Sequence, residues 1–165
     1  PGSFYQLDEQ GHRQRAHFDG LPVDFVAEAI TTLSAGLAQG FATYHVMNPH
    51  DDGIGIDEYV DWLIEAGYPI ERIDDFGQWL QRFHTALQAL PEHQRQNTVL
   101  QMLSLLLQGS HEVAAPEPTL GSYAPADKFR AAVQEAKIGA DNDIPHVTAD
   151  VITKYVTDMQ LLGLL

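Results

Sequence analysis

The hydrophobic pattern changes its period several times along the chain. From Leu21 to Ser34, Val23, Val26, Ala27, Ile30 and Leu33 or Ser34 form a stripe at helical spacing. Pro22 suits the first turn of that helix, where its missing N–H costs nothing. Asp24 sits where a carboxylate favours the positive helix start, and Gly36 and Gly40 end the segment. Thr43 to Met47 is β-branched, aromatic and apolar, and predicts a short buried strand. Asn48-Pro49 ends it, because proline cannot donate to a sheet ladder, and Asp51-Asp52-Gly53 turns the chain. Asp57 or Glu58 opens the next helix, with Tyr59, Trp62, Leu63 and Ala66 on one face and Gly67 as the C-cap. Strand, turn and helix make half of an α/β unit, which needs a neighbouring sheet to complete it.

Elsewhere the helical period dominates. Asp74 or Asp75 caps a helix through Trp79, Leu80, Phe83, Leu87 and Leu90, stopped by Pro91, and a further helix runs from His93 to Gln108. Residues 109–125, rich in Pro, Ser, Gly and Ala, read as a hinge-like loop. Asp127 to Ile138 is a helix with Phe129, Ala132, Val133 and Ala136 on one face. Ile144 to Val147 is extended, and Thr148 caps a last helix carrying Val151, Ile152, Tyr155, Val156 and Met159. The apolar end, Leu161 to Leu165, is expected to dock against the fold. Trp62 and Trp79 lie on apolar stripes and are expected in the core or at an interface. Strand signals are few: Thr43–Met47, the alternating Ile70–Ile73, and a remnant at Phe4–Leu7. Asp8 to Arg15 is polar, with a turn at Gly11. The fold class is therefore mainly α with a small β component (α+β). Residues 1–3, Pro-Gly-Ser, read as an expression scar, leaving 4–165 as the natural segment.

Charge narrows the partners. The formal net charge of −14 comes from 23 acids against 9 bases in 165 residues. Nucleic acid requires a basic footprint and anionic membrane surfaces require basic segments, so neither is expected as a partner. No apolar run approaches the roughly 18 residues of a membrane span, and no signal peptide is visible. The expected location is cytoplasmic. Cysteine is absent, which removes disulfides and thiolate chemistry.

Candidate chemistry is sparse. His45 and His50 flank the Asn-Pro turn, either as a ligand or acid/base pair near a strand's carboxyl end or as ordinary strand and loop residues. Neither has a partner at metal-ligand spacing, so no metal is assigned. The Asp51–Asp57 run fails as a calcium loop in either glycine register: with Gly53 sixth, Tyr59 replaces the bidentate twelfth ligand, and with Gly55 sixth, Ile54 occupies the fifth. Gly53-Ile54-Gly55 lacks the third glycine of a dinucleotide loop and is crowded by acids. No tyrosine has a lysine one helical turn away. Arg13, Arg15 and His17 form the one basic cluster, able to meet a phosphate of a larger assembly or simply to be solvated. No residue is assigned as catalytic or cofactor-binding.

Four stretches carry a resemblance: Arg13 to Ile30, Tyr44 to Leu63, Arg130 to Gly139, and the Leu161–Leu165 end. Together they resemble the C-terminal part of the reductase domain of bacterial carboxylic acid reductases, some of which are labelled fatty-acid–CoA ligases. The Pro-Val-Asp helix start and the Tyr-His-Val-x-Asn-Pro strand by themselves resemble the wider thioester-reductase group of extended short-chain dehydrogenases. The resemblance implies a long enzyme. An adenylation domain activates an acid with ATP/Mg, a phosphopantetheine carrier holds it as a thioester, and a C-terminal reductase releases an aldehyde with NADPH. The family's cofactor glycines and its catalytic Ser/Thr, Tyr and Lys match no position here. The implied piece is the substrate-side C-terminal lobe of a Rossmann-type NAD(P)-binding reductase, lacking the cofactor-binding half and inactive alone.

Its implied partners are the upstream Rossmann half and the acyl-carrying domain, with a homodimer of the isolated piece through the exposed Tyr44–Val46 edge as a further expectation. A free-standing acidic helical protein-interaction module is the alternative. Ligands of open α/β sheets gather beyond the carboxyl ends of the strands. That geometry makes His17, Asp19, His45 and Asn48 the expected pocket residues, as positioning groups beside the Asn48–Gly55 turn and the start of the Pro22 helix.

Overall fold

The computed structural model describes residues 2–37, 39–96, 115 and 117–164. The chain forms two compact units, one of Pro1–Gln14 with Pro69–Glu117 and the other of Arg15–Tyr68 with Pro118–Leu165.

The first unit holds a two-stranded parallel sheet. Strand β1 (Gly2–Phe4) pairs with β2 (Glu71–Ile73) in the register Gly2 to Glu71, Ser3 to Arg72 and Phe4 to Ile73. The edge strand expected at Ile70–Ile73 is present. The N-terminal strand lies earlier than Phe4–Leu7 and includes Gly2 and Ser3. After it, Leu7 bridges to Arg13, and Asp8 Oδ1 accepts the N–H groups of Gln10 and His12, closing the turn at Gly11. Helix α3 (Phe76–Gln88) starts where Asp75 Oδ1 accepts the Gln78 N–H at 2.6 Å, a side-chain N-cap. Phe76, Trp79 and Phe83 share one face. Trp79 stacks on both neighbours, with ring centroids 5.7 and 5.3 Å away, and Phe4 meets Phe76 edge-on at 5.1 Å. The indole N–H of Trp79 donates to Gly2 O, and Ile73 is buried beneath. Of the helix expected from His93 to Gln108, α4 (Glu92–Arg95) and Gln96 are described, while residues 97–108 and most of the 109–117 loop lie outside the described residues.

The second unit carries the main core. Helix α1 (Val23–Ala35) packs on α5 (Asp127–Glu135), burying Phe25, Ala29, Phe129 and Val133 with Ile138 and Ile144. The expected α1 stripe is partly turned: Val26 and Leu33 pack against the core as expected. Val23 and Ile30 are 69% and 58% exposed, whereas Phe25 and Ala29 point inward. Apolar residues occur nearly all round α1, so periodicity fits more than one face. The ring of Phe25, edge-on to Phe129 at 6.3 Å, offers the largest area to bury and fixes the rotation. Helix α5 ends at Glu135, short of the expected Ile138. Lys137 adopts a left-handed φ of 54°, the Ile138 N–H returns to Val133 O at 3.0 Å, and the Ile138 side chain enters the core.

The strand expected at Thr43–Met47 carries no ladder and no regular secondary structure. Among the described residues no strand lies beside it to share hydrogen bonds. Helix α5 takes that place: Tyr44 packs on Phe129, and Lys128 sits over the Tyr44 ring while donating to Thr43 O at 2.9 Å. Helix α2 (Ile56–Glu65) follows, burying Tyr59, with Gly67 at φ +92° after its end as expected. It packs against the last helix, α6 (Ala149–Leu161). Thr148 precedes α6 in extended conformation but makes no side-chain cap. The expected docking of the C-terminal leucines is also not seen. Leu161, Leu162 and Leu164 are 81%, 73% and 68% exposed, beyond a turn closed by the Leu164 N–H on Met159 O. Among the described residues no helix is long and apolar enough to cross a membrane.

Candidate functional site

Asn48 directly follows the Thr43–Met47 segment, and it is 1% exposed. A buried amide must have partners, and here its main chain and side chain are all engaged. Its N–H donates to Asp19 O at 3.0 Å, its Nδ2 to Phe18 O at 3.1 Å, and its Oδ1 accepts the His50 N–H at 3.0 Å. Ser122 Oγ donates to the Asn48 carbonyl. The residue binds the 17–20 segment and the 119–123 segment into one knot.

His17 and Asp19 complete this knot. The His17 N–H donates to Thr119 O at 2.6 Å, and Asp19 Oδ2 accepts the Tyr123 N–H at 3.2 Å. His17 Nε2 lies 3.2 Å from Asp19 Oδ1 and 3.4 Å from Ser122 Oγ, with the imidazole almost wholly enclosed. Aspartate only accepts, and the Ser122 proton is committed to Asn48 O, so Nε2 carries the ring proton and shares it between the two oxygens. A serine, a histidine and an aspartate therefore meet without forming a nucleophilic triad. Such a triad needs the serine on one ring nitrogen and the carboxylate on the other.

Of the expected pocket residues, the structure brings His17, Asp19 and Asn48 together and sets His45 apart. The His45 ring is exposed and hydrogen-bonds Pro125 O through Nδ1 at 3.2 Å. Ser122 and Tyr123 were missed. They stand in a loop whose composition signals only irregular backbone, and a side-chain bond to a distant carbonyl has no periodic trace.

A second cluster lies beyond the knot. His50 Nε2 donates to Ile144 O at 2.8 Å, and its ring stacks on His146 with centroids 3.6 Å apart. His146 Nδ1 is 2.7 Å from Asp52 Oδ2, while Asp52 Oδ1 accepts the Ile54 N–H. Burial pushes the Asp52 carboxyl up, but the His146 and Ile54 bonds outweigh it and hold the group below its ordinary value. Tyr59 is pushed up to about 12, first by burial and then by the Asp52 charge. On α2, Asp57, Glu58 and Asp61 bring carboxylate oxygens within 4.8 Å of one another. Each has a further interaction, and acidic residues are favoured at a helix start.

Two hollows border these clusters. One, about 250 Å³, is lined by Arg15, Ala16, His17, Asp51, Gly53 and Leu120. The other, about 490 Å³, runs along the start of α1 past Pro22, Asp24, Phe25 and Glu28 to His146 and Thr148. The turn and the α1 start expected to share one pocket thus each face a hollow, with Asn48 lining neither.

No protein-family model matches the chain. Over its full length it is 63% identical to a carboxylic acid reductase of Mycobacterium marinum, of which it spans 14%, and 63% identical to an isonitrile lipopeptide synthase of Mycobacterium tuberculosis, of which it spans 7%. Among solved structures, the reductase (R) domain of a nonribosomal peptide synthetase from Mycobacterium tuberculosis matches 99% of the chain at 59% identity with a TM-score of 0.80, and the chain covers 38% of that domain. The resemblance to the reductase part of carboxylic acid reductases holds across the whole chain.

Proposed function

We propose that this chain is the substrate-side lobe of a reductase that converts a carrier-bound acyl thioester to an aldehyde within a multidomain, ATP- and NADPH-dependent carboxylic acid reductase. The supporting observation is the 63% identity over the entire chain to a carboxylic acid reductase of which the chain is a small part. A second support is the match to a reductase domain of a nonribosomal peptide synthetase.

In this reading a bound NADPH would supply the hydride that replaces the thioester's carbon–sulfur bond, with one proton needed for the departing thiol, and no residue of this chain would hold the cofactor. The chain has no Gly-x-x-Gly-x-x-Gly loop and no Tyr-x-x-x-Lys pair, so the upstream Rossmann half supplies hydride and proton transfer. This lobe supplies walls. The Asn48 knot fixes the 17–20 and 119–123 segments, and His17, with Nε2 held between Asp19 and Ser122, is a positioning group within it. The adenylation domain, the ATP/Mg it uses and the carrier belong to the rest of the protein, and the cytoplasm is where these substrates occur. Cut from its other half, the lobe leaves Val46 and its ladder-free backbone available to a second copy.

The test uses the intact protein and the 165-residue chain side by side. The intact protein should consume NADPH and release aldehyde in equal amounts when given a carrier-bound acyl thioester. The chain alone should do neither and should show no saturable NADPH binding in the micromolar range. An intact protein without thioester-dependent NADPH oxidation refutes the reductase reading. Micromolar NADPH binding by the chain refutes the division of labour.

A further inference from the structure

We propose that the cavity beside Arg15 and Gly53 is an anion subsite that takes the phosphodiester of a pantetheine arm. The proposal rests on the thioester reading above for the identity of the arm, and on the following geometry for the site.

Arg15 stands out by having no hydrogen bond or ion pair among the described residues. In this acidic chain the other arginines are engaged. Arg82 forks onto Glu71, Arg130 forks onto Asp143, Arg95 donates to Gln88 O, and Arg13 and Arg72 have interactions of their own. Among the described residues Arg15 makes no hydrogen bond or ion pair, although acids outnumber bases 23 to 9. Its guanidinium lies across Gly53, where a Cβ would collide with Nε and Nη2. Gly53 has φ +70°, and two positions on, a Cβ at Gly55 would stand 3.0 Å from Ala16 O. The Gly-Ile-Gly turn, too poor in glycine for a dinucleotide loop, thus serves a close approach of two backbones and a seat for the guanidinium. A planar fork held flat with its donors unspent is suited to a phosphate oxygen pair.

The cavity this makes, about 250 Å³, is large enough for a phosphate and part of its ester arm. Its walls select among anions. Asp51 stands on the same cavity, and its carboxylate repels a dianionic monoester more than a singly charged diester. Leu120, 73% exposed at the rim, offers an apolar contact to the branched carbons next to the phosphate in a pantetheine arm. The competing source of the same chemistry is the 2′-phosphate of a nicotinamide cofactor, a monoester.

The experiment titrates the full 165-residue chain at low salt, by heteronuclear NMR, with three probes: the methyl diester of 4′-phosphopantetheine, unphosphorylated pantetheine, and adenosine 2′,5′-bisphosphate. The diester should bind about tenfold more tightly than pantetheine, the loss expected for one charge-assisted hydrogen bond, with shifts at Arg15, Gly53 and Leu120. Arg15→Gln should abolish the difference. Asp51→Asn should tighten the bisphosphate more than the diester. Equal binding of diester and pantetheine, an unchanged preference in Arg15→Gln, or tighter binding of the bisphosphate to the unmodified chain each overturns the assignment. In the intact protein Arg15→Gln should raise KM for the carrier-bound thioester and leave kcat little changed. If the unmodified intact protein reduces no thioester while the diester still binds at Arg15, the functional reading fails and the anion site stands. If it does reduce thioesters and Arg15→Gln leaves KM unchanged, the site fails and the reading stands.

Discussion

The second unit contains two buried regions built on opposite principles. The core between α1 and α5 is held by area: Phe25, Ala29, Phe129, Val133, Ile138 and Ile144 exclude water and need no particular angle between them. The knot around Asn48 is held by direction. It has no regular secondary structure, and its segments stay together because its polar groups meet partners at bonding distance. An area-based core loses stability in proportion to what is removed. A directional knot loses a whole segment's placement when one bond goes, because the abandoned partner stays buried. The hollow proposed to bind a ligand borders the knot, where position matters more than bulk.

The contrast is tested most strongly by emptying the core. Phe129 is 1% exposed and touches the rings of Phe25 and Tyr44. Phe129→Ala should cost about 3–5 kcal/mol, a large part of a typical stability of about 5–15 kcal/mol. Urea denaturation should show a lower midpoint with an unchanged slope. A loss under about 1 kcal/mol would mean that the core is not where the unit's stability lies.

The core was more legible in the sequence than the knot, and the reason is physical. Burial of a helix face repeats along the chain, so α2, α3 and the α5 face of Phe129 and Val133 could be read from spacing. On α1, Val26 and Leu33 of the expected stripe do pack on the core while Val23 and Ile30 do not; its residues are apolar on more than one side, and the shape of Phe25 against Phe129 decided the rotation. The Thr43–Met47 strand was misread because a ladder belongs to two strands, and β-forming residues settle onto a helix when no second strand lies beside them. Of the site, His17, Asp19 and Asn48 were picked out as polar residues near a strand end, and they do meet. Ser122 was invisible, since a hydroxyl donating to a carbonyl 74 positions away in the chain leaves no local pattern.

The second test breaks the knot without touching the core. Asn48→Leu keeps the volume and removes both side-chain bonds, orphaning the Phe18 carbonyl and the His50 N–H. The cost should be about 2–3 kcal/mol, less than for Phe129→Ala. Amide hydrogen exchange sharpens the distinction: the His50 and Tyr123 amides should lose protection while those of α1 and α5 keep their rank order. A uniform loss across the unit would show that knot and core unfold as one and would erase the contrast drawn here.

The smallest expected effect lies where the two principles meet. Arg130 on α5 forks onto Asp143, and Asp143 Oδ1 also accepts the Ile144 N–H at 2.8 Å, setting the buried Ile144 side chain into the core. A directional contact here positions an apolar one. The Arg130 bonds, aided by the Ile144 and Gln134 donors, lower the Asp143 carboxyl from its ordinary 3.8 to about 2. A carboxylate more acidic in the folded state stabilises that state fully above its unfolded value and loses the contribution as pH falls through the folded one. The contribution should therefore be intact above about pH 4 and vanish towards pH 2. The Asp143 and Arg130 side chains are 26% and 40% exposed, so solvent screens the pair and the effect should not exceed about 1 kcal/mol. Denaturation of the chain and of Asp143→Asn at steps from pH 5 to pH 2 isolates it. The two stabilities should differ at pH 5 and converge at pH 2. A constant gap across that range would mean that Asp143 acts through its hydrogen bond to Ile144 alone, with its charge and Arg130 contributing nothing.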